Sequence, residues 1–273
     1  MYTLTEIWVY PIKSIGGIAL SEAHVEMRGL QHDRRWMLVN ESGRFMSQRE
    51  IPAMALLRTA LEAEHLLVFH KDQPENILRI PLTMALENLP VEEVEVWGDF
   101  FPAVVLPQPL SDWFASILEE PVRLVYMPDS TRCWADARYA PQGQHVSMAD
   151  GFPYLIIGQA SLDDLNSRLE TPLPMNRFRP NFVFSGGEPF EEDHWADFSI
   201  GGVNFRGVKP CARCSIPSTN QETAERAAEP TKTLATYRNI DKKILFGQNV
   251  IWMGQGEAMV RVGDEMVMGN TSL

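Results

Sequence analysis

Lys209-Pro210-Cys211-Ala212-Arg213-Cys214, continued by Ser215-Ile216-Pro217, is the stretch on which the reading of the fold turns. A Cys-x-x-Cys pair that follows a strand and opens a helix belongs to a thioredoxin-like α/β protein. Pro217, three residues past the second cysteine, argues against a helix at that point. As a zinc half-site the pair lacks a partner, since Cys133 is distant and none of the six histidines forms a second pair at suitable spacing. The thiolate is the reactive and metal-binding form of cysteine, and neighbouring cations favour it. Lys209 and Arg213 supply such cations, so the segment reads as one sulfur kept deprotonated for a larger partner.

Outward from this segment the chain reads as many short strands with Gly and Pro turns. Residues 4–10, 36–40, 66–69, 91–97 and 122–126 alternate or run apolar as strands do, and so do 154–157, 182–185, 198–205, 250–252, 258–262 and 265–268. Helices are few. One is expected to begin at Ser111, its hydroxyl capping free N–H groups and Trp113, Phe114, Ile117 and Leu118 forming the apolar face. A second opens with a capping box at Ser161 and Asp164 and buries Leu162, Leu165 and Leu169, and residues 231–238 form a short third. Residues 127–149 show little periodicity and read as a domain connection and mobile lid. This pattern predicts a mainly β (α+β) protein built on β-barrels.

The 273 residues suffice for one large domain or two small ones, and 45% hydrophobic content is ordinary for a soluble protein. No signal peptide and no membrane-spanning run is visible, so the expectation is a cytoplasmic protein with reduced thiols and no membrane partner. A formal net charge of −12 argues against general nucleic-acid binding. Any anion site must then be a local basic cluster in an acidic protein.

Three such clusters accompany the cysteines. Tyr10-Pro11-Ile12-Lys13-Ser14-Ile15-Gly16-Gly17 ends a strand with a lysine, a hydroxyl and glycine N–H groups that can hold a phosphate. In His32-Asp33-Arg34-Arg35-Trp36, period-two alternation sends Arg34 and Trp36 to one face and Arg35 to the other, so one arginine points inward while its neighbour stays wet. Asn176-Arg177-Phe178-Arg179-Pro180-Asn181 places two arginines just before an apolar strand, with at least one partly buried. Taken alone, the first two are equally readable as a solvated strand end and a surface ion pair. For the third, structural salt-bridging and ligand contact are about equally weighted. A single thiolate ligand to a large cofactor, with these clusters making the remaining contacts, accounts for all of them together.

In order and content the motifs resemble the MOSC family, named after the C-terminal domain of molybdenum-cofactor sulfurases. The resemblance is closest to members with an additional N-terminal β-barrel, the YcbX-type proteins and the mitochondrial amidoxime-reducing components. Tyr10-Pro11-Ile12-Lys13-Ser14, Asp33-Arg34-Arg35-Trp36, Ala160-Ser161-Leu162, Asp164 to Leu169, Phe178-Arg179-Pro180-Asn181, Cys211-Ala212-Arg213-Cys214 and Phe246-Gly247-Gln248-Asn249 carry it over essentially the whole chain. It implies an N-terminal MOSC-associated barrel over residues 1–126 and a MOSC domain over 127–273.

The resemblance further implies a molybdenum-molybdopterin cofactor (Moco), with Cys214 as metal ligand and Asp150 near the metal. Lys13, Ser14, Arg34, Arg179, Asn181 and Arg213 fall to cofactor binding. A soft sulfur ligand and a cationic cradle suit a phosphate-bearing dithiolene. The implied activity is reduction of N-hydroxylated compounds, N–O to N–H with release of water. The YcbX-type C-terminal ferredoxin cysteines are missing from this sequence, so the expected electron donor is a separate protein of ferredoxin or flavoprotein type. After Cys214, Ser215-Ile216-Pro217-Ser218-Thr219-Asn220 replaces the threonine pair frequent in relatives. The alternative is a molybdenum-cofactor carrier or sulfur-transfer protein with a persulfide on Cys214. Cys211 is read as structural and Cys133 as incidental.

Overall fold

The computed structural model describes residues 1–141 and 143–269. Seven strands close into a barrel, in the order Tyr154–Gly158, Phe182–Ser185, Tyr2–Val9, Glu265–Met268, Asp197–Ile200, Val203–Ala212 and Lys243–Trp252. Pairing of Tyr154–Gly158 with Lys243–Trp252 completes the ring. All neighbours are antiparallel except Tyr154–Gly158 and Phe182–Ser185. Parallel strands need a crossover, and the helix Gln159–Ser167 provides it. The mainly β barrel expected from the turn-rich sequence is therefore the observed fold.

Side-chain alternation explains why the barrel forms. In Tyr2–Val9 the inward residues are Leu4, Ile7 and Val9, and a register shift between Leu4 and Glu6 accounts for the odd spacing of the first two. They meet Tyr154, Phe182, Phe205 and Trp252 in the barrel interior. Ile157, Val183 and Phe246 point outward and pack against Leu162 and Leu165 of the crossover helix. These strands are buried on both faces, which is why they read as continuous apolar runs.

The first half of the chain adds a four-stranded sheet, ordered Trp36–Val39, Arg123–Tyr126, Asp99–Val105, Val91–Val96, and a three-stranded one made by Leu57–Glu62, His65–His70 and Gln73–Pro81. Ile12, Trp36, Leu57, Leu66, Phe114 and Leu124 fill the core between them. The two halves of the sequence interlock. Tyr2–Val9 is a barrel strand, and Glu22–Glu26 pairs with Ala258–Arg261 near the other end of the chain. No helix among the described residues is long and apolar enough to cross a membrane.

Two local expectations, both on helix caps, are corrected. The first helix runs Gln108–Leu118, and Ser111 lies inside it, where its hydroxyl accepts the Leu124 N–H at 3.0 Å rather than capping. Ser161 and Asp164 form no capping box. The Ser161 hydroxyl donates to the buried Glu192 carboxylate at 2.9 Å, that carboxylate also takes the Gly158 N–H, and Asp164 pairs with Arg168. A tertiary carboxylate has thus displaced the local cap. Residues 127–149 form a segment pinned at both ends: Met127 N–H bonds to the Arg35 carbonyl and Met148 N–H to the Arg34 carbonyl. Within it Cys133–Trp134 pairs with His145–Val146.

Candidate active site

Strand ends and tight turns from both halves converge on a cleft of about 450 Å³. Lys13, Ser14, Arg34, Asp150, Arg179, Asn181, Arg213 and Cys214, all singled out in the sequence, line it together. Ser14, Arg34 and Arg179 adopt φ of 65°, 48° and 56°, the left-handed region that side-chain-bearing residues rarely occupy. Such outliers persist only where surrounding structure enforces them, and they cluster at functional sites.

Lys13 follows the first barrel strand, its N–H bonded to the Trp36 carbonyl at 2.8 Å. Its side chain is buried, and Nζ donates to the Met148 carbonyl at 2.8 Å and to the Asp150 carboxylate. Burial lowers the Lys13 pKa, although the Asp150 charge works against it. For Asp150 burial acts upward, but the charges of Lys13 and Arg49 and hydrogen bonds from Lys13 and Trp97 prevail, so its carboxyl lies well below the usual carboxylate range. With 48% of its side chain open to solvent, Asp150 is an ionised acceptor at the cleft surface.

A second layer centres on Tyr10. The Arg34 and Arg179 guanidiniums lie 4.5 Å and 4.2 Å from its ring, and its hydroxyl bonds to the Pro180 carbonyl at 3.0 Å. Buried Asp33 accepts the Tyr10 N–H at 2.7 Å and pairs with Arg34. Burial brings the Arg179 pKa down to about 10, which still leaves it cationic at neutral pH. The Arg179 side chain donates no hydrogen bond among the described residues, so its N–H groups are free for a ligand. Asn181 differs: its amide joins Arg34, the Leu155 N–H and the Trp8 carbonyl, so it acts mainly as a strut that sets Arg34.

The expected partition of Arg34 and Arg35 is also corrected. Neither arginine stays wet: Arg34 pairs with buried Asp33, and Arg35 is buried and bonded to the Met127 carbonyl, because the strand begins only at Trp36 and the left-handed turn at Arg34 breaks the alternation. Both Arg177 and Arg179 are buried, in keeping with the expectation of at least one, and Arg177 donates to the Pro217 carbonyl at 2.8 Å.

The cysteine segment ends the strand Val203–Ala212 and leads into the single 3₁₀ turn Ile216–Ser218, so no helix follows. All three cysteines are free, and Cys214 is exposed. Arg213 donates to Cys211 Sγ at 3.2 Å and to the Phe178 carbonyl at 2.7 Å, leaving a buried Nε without a partner. Cys211 is therefore held by its neighbour.

Lining residues that were not assigned to the site from the sequence include Arg49, Trp97 and Lys209. Arg49 reaches both Asp150 and Cys214, and Trp97 donates to Asp150 at 3.1 Å. Lys209 Nζ lies 4.5 Å from the Tyr139 ring centre. No local pattern marks Arg49 or Trp97, whereas Lys209 stood in the cysteine segment itself. The lining then holds six cations (Lys13, Arg34, Arg49, Arg179, Lys209, Arg213) against one carboxylate, Asp150, in a chain of net charge −12. Such a cleft focuses positive potential and collects anions.

Among the described residues no three His, Cys, Asp or Glu side chains stand close enough to hold a metal alone. A metal at Cys214 would arrive within a larger anionic group. The residues fit one: the Arg179 guanidinium, which donates no hydrogen bond among the described residues, and the cations around it suit phosphate or pterin oxygens, and Cys214 offers a soft sulfur.

Fold and cleft together define a MOSC-type barrel protein. The sequence matches the MOSC N-terminal beta barrel domain family over residues 1–121 and the MOSC domain family over residues 143–267. Mitochondrial amidoxime-reducing component 1 of Homo sapiens is 31% identical over 97% of this chain and 82% of its own. Mitochondrial amidoxime reducing component 2 of Bos taurus is 30% identical over 88% of this chain and 73% of its own. The molybdenum cofactor sulfurase of Solanum lycopersicum is 28% identical over 97% of this chain, which spans 35% of that longer protein. The chain belongs to the MOSC family, as a member carrying the N-terminal MOSC barrel, with a molybdenum-cofactor-related role.

Proposed function

We propose that this protein is a molybdenum-cofactor-dependent reductase of N-hydroxylated compounds, working in the cytoplasm with a separate ferredoxin- or flavoprotein-type electron donor. The observation that carries this reading is the convergence of an exposed thiol and six cations in one cleft. Likeness to the amidoxime-reducing components supports the reaction class. The domain division at residue 126 is part of the same proposal.

When bound, the cofactor would supply the two-electron reduction that breaks the N–O bond. Cys214 would hold the metal, while Lys13, Ser14, Arg34, Arg179 and Arg213 would hold the phosphate and pterin. Arg34 and Arg179 are pre-set by Tyr10 and Asp33, so little side-chain freedom is lost on binding. Asp150, kept ionised by Lys13 and Arg49, would accept a hydrogen bond from the substrate N–OH group and orient it. Held so far below the usual carboxylate range, it is a poor proton acceptor as well as no donor, so its role is to orient, and the two protons the reduction consumes would come from solvent. Trp97 narrows the open side of the cleft beside it.

Molybdenum measured by elemental mass spectrometry, on protein from a host that makes the pterin cofactor, tests this reading. Near-stoichiometric metal in the wild type and background metal in Cys214→Ala is the expected result. Full molybdenum content in Cys214→Ala would show that another group holds the metal.

A second reading is favoured by the exposure of Cys214 and the likeness to molybdenum cofactor sulfurases: a carrier or sulfur-transfer protein with a persulfide on that cysteine. Cyanide-labile sulfur on Cys214 without turnover of an N-hydroxylated base by an artificial reductant would select it.

A further inference from the structure

The Arg49 guanidinium lines the cleft between Asp150 and Cys214. One of its nitrogens, Nη2, donates to Asp150 Oδ2 at 3.0 Å and reaches Cys214 Sγ at 3.2 Å. The Trp97 ring lies 4.5 Å from its Cζ, so the tip of the hairpin made by Val91–Val96 and Asp99–Val105 covers it. Its backbone is held from the opposite side. Arg226 donates to the carbonyls of Gln48 and Arg49, and the Gln48 amide is locked between the Ser14 carbonyl at 2.9 Å and Gln221. Segments far apart in the chain therefore fix one side chain against one sulfur.

Arg49 Nε and Nη1 are buried and donate to nothing among the described residues. Buried donors are rarely left unpaired, because each carries a desolvation cost. An arginine whose task was only to anchor a half-exposed aspartate would not keep them so. Unsatisfied donors beside a reactive sulfur are what a site shows when the residue is placed for the sulfur.

We propose that Arg49 is the positioning residue of the Cys214 sulfur: its Nη2–H sets where the sulfur sits relative to Asp150, and its charge balances the thiolate. The inference rests on Cys214 being the reactive sulfur and adds the residue that governs it. A lysine at this position keeps the charge but is one atom shorter and lacks the planar guanidinium that lies against the Trp97 ring, so its nitrogen is less well placed between sulfur and carboxylate.

The first arm of the test uses cofactor-free protein in a Cys133→Ser, Cys211→Ser background. The rate at which Cys214 attacks a dianionic disulfide, dithiobis-nitrobenzoate, is divided by its rate with neutral dithiodipyridine at one pH. The same thiolate attacks both, so the ratio reports the charge beside the sulfur and not its degree of ionisation. The ratio should fall roughly fivefold in Arg49→Met, the scale of one charge contact in a wet cleft, and recover partly in Arg49→Lys. An unchanged ratio in Arg49→Met, with a wild-type melting curve showing the fold intact, overturns the proposal.

In the second arm, the three proteins are loaded with cofactor and followed through gel filtration and redox titration. Arg49→Met should lose molybdenum roughly tenfold faster, as expected for a partner of a metal ligand, with a more negative molybdenum potential. Arg49→Lys should keep the potential and still lose metal faster. Wild-type retention and potential in both variants would overturn the proposal. Absence of molybdenum from the wild type itself would sink the reductase reading and leave the first arm to decide on Arg49.

Discussion

Two clusters in this molecule share one composition and differ in purpose. At Asp129, Arg28 and Arg35 converge on a carboxylate; at Asp150, Lys13 and Arg49 do the same. Around Asp129 most donors are engaged, and none of these two arginines' nitrogens is left buried without a partner: Arg35 bonds to the Met127 carbonyl, the Tyr126 hydroxyl and Asp129, and Arg28 to the carbonyls of Pro128 and Asp129. Asp129 itself is 84% exposed, so the arginines serve chiefly to tie down the start of the 127–149 segment. Around Asp150 buried donors are left over on Arg49 and Arg213, two residues that line the cleft. The two clusters have a similar density of charge and differ in that buried donors stay unpaired only beside Asp150.

The largest effect that tests this contrast is Arg35→Ala. It strips the buried Met127 carbonyl of its donors and should cost about 1–3 kcal/mol in urea unfolding, while molybdenum per folded molecule stays at the wild-type level. Arg49→Met should do the reverse. Stability should change by less than about 1 kcal/mol, since removing two unpartnered donors offsets a half-exposed ion pair, yet metal retention suffers. If Arg49→Met unfolded the protein as Arg35→Ala does, the distinction between the clusters would fail.

A third prediction uses acid. The Asp150 pKa is lowered in the fold, so its contribution is fully present above the unfolded value, about 4, and is lost as pH falls toward the folded value. The stability gap between wild type and Asp150→Asn should therefore shrink steadily below pH 4, and a constant gap would contradict the ionised, paired carboxylate. The smallest effect belongs to His145, beside the Asp129 cluster. Burial, then the charges of Arg28, Arg132 and Arg35, bring its pKa down to about 4. The unfolded chain binds this proton more readily, so stability should fall as pH drops from about 6.5 to about 4. His145→Gln should flatten that limb of the pH–stability curve, and an unchanged slope would mean that His145 titrates alike folded and unfolded.

Much of the fold was legible because barrel strands carry their own periodicity. Residues 4–10, 182–185 and 258–262 were read within a few positions of the observed strands. Where reading failed, a distant partner had outbid a local one. Ser161 is the clear instance: its sequence neighbours predicted a cap, and Glu192, thirty-one residues away, took the hydroxyl. Arg35 failed for another reason, since alternation was extended one residue too far, across a left-handed turn that a pattern of residue types does not reveal. The residues assigned to the site from the sequence all line the cleft, whereas Arg49 and Trp97, in segments with no motif, were not marked.

By itself the sequence determined the strand-rich barrel class, the acidic overall charge and the basic and thiol motifs, because periodicity, composition and short spacings are local properties. Tertiary structure alone decided that Arg49 meets Asp150 across 101 residues and Cys214 across 165, that Trp97 closes over it, and that its remaining donors stay unpaired. Partners at such separations are chosen by how the sheets pack and by which hydrogen bonds remain once the backbone is satisfied.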